Sequence, residues 1–152
     1  MNRINIPIVE ISDSNFDTNS AKIGYTPSLN IEPVLHEIQY ALIKLLKSQQ
    51  NSVIDLNAMP FAPGEKEKIR QELGNGEVEI LLNAMGKSLL FETDYPGVWW
   101  IEHYNDEEQV TGTYIEIAPI PEIIQAVDEE ISIGLQRLTQ TLNDRSESYE
   151  NE

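Results

Sequence analysis

Residues 93–104 read TDYPGVWWIEHY, a turn signal at Tyr95-Pro96-Gly97 followed by a run rich in β-branched and aromatic residues. A strand sends successive side chains to opposite faces, so Trp99 and Trp100 cannot both enter a core lying on one side of a sheet. The neighbouring stretches have the same extended character: EVEILLNA (77–84), SLLFETDY (88–95) and VTGTYIEIAPI (110–120). They are joined at MGK, YPG and NDEEQ, connections of hairpin length, and together predict an antiparallel meander. SVIDL at 52–56 adds a short buried strand.

Helical periodicity flanks these strands. Over 29–47 the apolar positions Val34, Leu35, Ile38, Ala41, Leu42, Leu45 and Leu46 recur at spacings of three and four, with Pro33 suited to a first turn. A short helix is expected over 64–73, opened by Pro63 with Glu65 and Glu67 and stopped by the GNG after Leu73. After Pro121, the residues Ile123, Ile124, Val127, Ile131, Leu135, Leu138 and Leu142 keep helical spacing and are expected to face the core.

The fold class that follows is α+β: a meander sheet of four to five strands with two long helices and one short helix packed on one face. Residues 1–28, starting with alternating Ile4, Ile6 and Ile8, read as an arm or linker. Residues 29–142 form the domain, and 143–152 a disordered acidic tail.

Composition narrows the function. The 152 residues contain no cysteine, which excludes disulfides, thiolate metal sites and a Cys nucleophile. A balance of 26 acidic against 10 basic residues, net −16, repels phosphate backbones. Nucleic-acid binding is not expected; a basic protein partner is favoured, beside the plainer reading that acidity serves solubility. No apolar run suggests membrane insertion and no signal peptide is evident, so a cytoplasmic protein is expected.

Sorting side chains by alternation places Glu79, Glu92, Trp100, Glu102, Tyr114 and Glu116 on one open face and Trp99 in the core with the helices. An aromatic pair among carboxylates offers a contact surface for a basic partner, although cross-strand packing alone explains it equally. Met59 and Phe61 in the MPFAPGE loop are the next candidates for partner contact. His103 with the sheet carboxylates is the alternative site, for metal handling or hydrolysis. His36 and His103 have no spacing that makes them neighbours, and each reads first as a structural histidine. GNGEVE lacks the context of a nucleotide loop, so no cofactor is expected.

The motifs LHEIQYAL (35–42), VIDLNAMPFAPGEKEKIRQELGNGEVEI (53–80), ETDYPGVWWIEHYN (92–105) and IEIAPIPEII (115–124), with the closing helix, resemble the conserved C-terminal region of the HupH/HyaF family of hydrogenase expression and formation proteins. The resemblance spans roughly residues 29–142. It implies an accessory, non-enzymatic role in maturing uptake [NiFe] hydrogenase, as a chaperone or assembly factor that engages a hydrogenase subunit precursor or another maturation protein. It brings no catalytic residues with it.

Overall fold

The computed structural model describes residues 31–84 and 86–150; the expected arm at 1–28 lies outside them. Helix α1 (Ile31–Ser48) is followed by β1 (Ser52–Asp55), α2 (Glu65–Leu73), β2 (Glu79–Ala84), β3 (Gly86–Glu92), β4 (Val98–Tyr104) and β5 (Val110–Ile117). A 3-10 turn, Glu122–Ile124, then leads to α3 (Asp128–Glu150). The strands form one antiparallel sheet in the order β1-β5-β4-β3-β2. The architecture is α+β, as the periodicities require. No described helix is long and apolar enough to cross a membrane.

One sheet face carries the main core. Val34, Ile38, Ala41 and Leu45 form the stripe of α1, and Ile69 and Leu73 that of α2; they meet Ile54, Val98, Trp100, Ile115 and Ile117 of the sheet. Helix α1 stops where Gln49 turns left-handed, with φ 56°, and its amide donates to Leu45 O at 2.9 Å. Helix α2 is started by its own Glu65, whose carboxylate accepts from the Ala62 amide at 2.8 Å.

Trp100, expected on the open face, is 2% exposed and packs under the helices. Trp99 does lie in a core, at 6% exposure, but on the opposite face with Leu90 and Ile101. Alternation within β4 therefore holds, while the side assigned to each indole is reversed. Burying the Trp100 ring is possible because Glu102, two residues along on the same face, accepts its indole N–H at 2.9 Å. The Arg70 guanidinium lies 5.0 Å from the Phe91 ring centre and 5.8 Å from that of Trp100, closing the edge of the layer.

Helix α3 departs further from expectation. Among the described residues, only α1 and α2 supply helical residues to the main core; Ile131, Leu135, Leu138 and Leu142 of α3 are 58%, 63%, 58% and 54% exposed. The apolar stripe read as one helix from Pro121 is broken in two. After the 3-10 turn Gln125 is extended (φ −83°, ψ 125°), and α3 begins anew where the Glu130 carboxylate accepts from the Val127 amide at 3.4 Å. The helical conformation continues to Glu150, through most of the segment expected as a disordered tail.

Candidate functional site

The face away from α1 and α2 has little cover. Leu90, Trp99 and Ile101 form its buried floor, flanked by Ile80, Leu82 and Tyr114. The chain leaving β5 supplies the lid. Trp99 Nε1 donates to Ala118 O at 3.0 Å, and Glu116 Oε1 accepts from the Glu122 amide at 2.9 Å. These two bonds hold the 3-10 turn so that Ile124 packs on the floor while Ile123 remains 45% exposed.

Two recesses remain beside this lid. The larger, about 580 Å³, is lined by Leu82, Ser88, His103, Ile123 and Ile124 among others. The smaller, about 180 Å³, lies among Val53, Ile101, His103, Tyr114, Glu116 and Ile123. His103 and Ile123 belong to both. An apolar floor with a few polar groups at its edge has the composition of a protein-contact surface.

The polar groups here are largely committed to one another. His103 Nδ1 and Ser88 Oγ are 2.7 Å apart, and the His103 and Tyr114 rings meet at 5.4 Å with a 58° tilt. Among the described residues no three His, Asp or Glu side chains are placed to hold a metal ion. Glu116, the carboxylate beside His103 in the smaller recess, is occupied by the Glu122 amide.

Burial pushes the Glu116 carboxyl above its usual range, against the Glu122 amide, which favours the anion; the Glu122 charge adds to the rise. Folding thus favours the protonated form of Glu116 relative to the unfolded chain, and its contribution to stability falls as pH rises through the carboxylate range. Glu116→Gln retains an acceptor for the Glu122 amide without a buried charge. It is expected to melt at the same temperature as the parent well below pH 4, and at a higher temperature at pH 7, in thermal scans across that interval. A lower midpoint at pH 7 would mean that the anion, not the acceptor, holds the turn.

The six sheet residues expected on one surface are divided between two. Cross-strand partners Glu79↔Phe91, Phe91↔Trp100, Trp100↔Ile115 and Ile115↔Ile54 share the helix face. Glu79, Trp100 and Glu102 are therefore on that face, and Glu92, Tyr114 and Glu116 on the other. The single acidic and aromatic patch does not exist, because the register of each hairpin decides which half of one strand meets which half of the next. Glu102 is bound up in its own layer, taking the Trp100 indole and, at 2.5 Å, the Tyr104 hydroxyl. That bond to a carboxylate, followed by burial, keeps the Tyr104 phenol protonated, its pKa pushed up to about 12. Met59 and Phe61 are half-buried against the main core rather than free in their loop.

Tyr114 and Glu116 are thus the expected residues that border the recesses, while Ile123, Ile124 and the placement of His103 beside them escaped sequence reasoning. Their signal was the PIPEII stretch, where Pro121 marks a lid over the sheet rather than the start of a long helix.

The fold has a known counterpart. A solved structure, the hydrogenase expression protein HupH from Thiobacillus denitrificans ATCC 25259, matches with a TM-score of 0.72 at 41% identity, covering 76% of this chain and 96% of that one. Hydrogenase expression/formation protein HoxQ of Azotobacter vinelandii is 26% identical over 126 residues, 80% of this chain and 44% of its own length. Hydrogenase expression/formation protein HupH of Rhizobium leguminosarum bv. viciae is 25% identical over 122 residues, 78% of this chain and 43% of its own length. The chain spans less than half the length of these curated relatives. Residues 28–144 match the family described as HupH hydrogenase expression protein, C-terminal conserved region, and the chain belongs to that family.

Proposed function

We propose that this chain is an accessory factor in the expression and formation of hydrogenase, acting by binding protein and not by catalysis, and that its partner is a hydrogenase subunit precursor or another maturation protein. Family membership over residues 28–144 carries this reading. The names of the relatives, all hydrogenase expression, formation or operon proteins, support it. The docking surface is the second sheet face, where Ile123, Tyr114 and His103 border an apolar floor. Glu92 lies toward its far edge, with Glu116 fixing the lid beneath. Apolar and aromatic groups at the centre of a contact supply most of its energy, and the net charge of −16 favours a basic partner and speeds the encounter.

The test is direct binding of purified hydrogenase subunit precursors and maturation proteins to Ile123→Asp, measured by calorimetry. Ile123 is half exposed, so the fold should survive. A carboxylate at the centre of the contact should cost at least ~2 kcal/mol, roughly a thirtyfold loss of affinity. A folded variant that still binds the same partner with parental affinity, and supports hydrogenase activity in cells, would remove this face from consideration.

A further inference from the structure

Beyond the recesses, a further apolar feature left uncovered among the described residues is the seam of α3. Ile131, Leu135, Leu138 and Leu142 are each more than half exposed, an arrangement that a chain isolated in water leaves unsatisfied. Their spacings are four, three and four, the alternation of a coiled-coil seam.

That series reads the same in both directions. When two copies of α3 are laid antiparallel about a twofold axis between residues 136 and 137, Ile131 meets Leu142 of the other copy and Leu135 meets Leu138, each twice. The next layer outward on the same seam brings Asp128 against Arg145, again at both ends. A twofold interface requires this reciprocity, in which residue i meets j and j meets i. We infer that α3 is a self-pairing helix, and that its apolar seam is covered by α3 of a second copy of this chain in antiparallel register.

The flanks of the seam fit a close neighbour of the same sequence. Ser132, Gly134, Thr139 and Thr141 are small and uncharged, so no like charges line the contact and nothing there selects a foreign basic helix. The Thr139 and Thr141 hydroxyls already donate to Leu135 O and Arg137 O at 2.9 and 3.0 Å, so covering them leaves no hydroxyl proton unsatisfied. Gly134 is costly in a helix interior, and a methyl group there would meet nothing within 4 Å in the single chain. Close approach of a second backbone gives that glycine a purpose. Repulsion between two chains of net charge −16 is screened beyond roughly 10 Å at 0.1 M salt, and the seam is about 27 Å long. Such a contact is smaller than a standard interface, so the dimer is expected to dissociate at around micromolar concentrations.

Sedimentation equilibrium of the full chain over a wide concentration range measures the association. Leu138→Asp should weaken it by at least ~100-fold, because it buries an unpaired carboxylate in two layers, while the thermal midpoint of the dilute monomer stays unchanged. Orientation is read from cysteines introduced into a chain that has none. Mixed Asp128→Cys and Arg145→Cys proteins should form a crossed disulfide under mild oxidation, and neither alone should cross-link efficiently. A chain that stays monomeric at millimolar concentration would overturn the inference. So would a dimer indifferent to Leu138→Asp, or efficient linking of position 128 to itself, which marks parallel pairing.

Discussion

Trp100→Ala is expected to lower the unfolding free energy by about 3–5 kcal/mol, the range for truncating a buried aromatic side chain. Trp100 is 2% exposed and belongs to the cluster that joins α1, α2 and the sheet. Its loss removes contacts on both layers and also takes the indole N–H from Glu102 and the ring from beneath Arg70. The guanidinium would feel the change as well, since burial already pushes its pKa below the usual value while Glu102 and Asp94 oppose that shift. Against a typical domain stability of about 5–15 kcal/mol this is a large fraction, so the variant should unfold at far lower urea than the parent. A midpoint within experimental error of the parent would place the indole at the surface.

Gly74→Ala should cost about 3 kcal/mol, close to the upper end for backbone strain at a single residue. Gly74 ends α2 with φ 68° and ψ −163°, a region reserved for glycine. A methyl group built there falls 1.9 Å from the Asp94 carboxylate, on the turn whose Asp94 amide donates to Leu73 O at 2.9 Å. The residue therefore links the end of α2 to the turn between β3 and β4. Gly64→Ala is the comparison: its φ is 84° with ψ −3°, the milder left-handed region, and nothing lies within 4 Å of the added carbon. It should cost only the ~1 kcal/mol of a left-handed alanine. Equal losses in the two variants, measured by denaturant unfolding, would show that neither the glycine-only backbone region at Gly74 nor the close approach of Asp94 adds to the cost.

The glycines of GNG read in sequence as punctuation, and the turn they mark is present. What that reading missed is the second element they hold in place. Such a contact joins residues twenty positions apart, and no local propensity records it. The same division runs through the whole molecule. Composition and periodicity were enough for the order of elements, the antiparallel sheet and the buried stripe of α1 except Leu46, which is exposed, because each is a property of a few consecutive turns or residues. The partition of Trp99 and Trp100 to opposite faces was likewise local.

Tertiary structure alone decided which face each tryptophan entered. A period of two sorts the side chains of one strand into halves, but the phase between neighbouring strands is set by hairpin register and by which faces the helices cover. It was for this reason that Glu79, Trp100 and Glu102 parted from Glu92, Tyr114 and Glu116. The closing helix makes the same point from the other side: the stripe Ile131, Leu135, Leu138, Leu142 declares that α3 has an apolar side to cover, and nothing in a periodicity says with what. Here α1 and α2 fill one face of the sheet and the Pro121–Ile124 turn sits on the other, so among the described residues the apolar stripe of α3 stays uncovered.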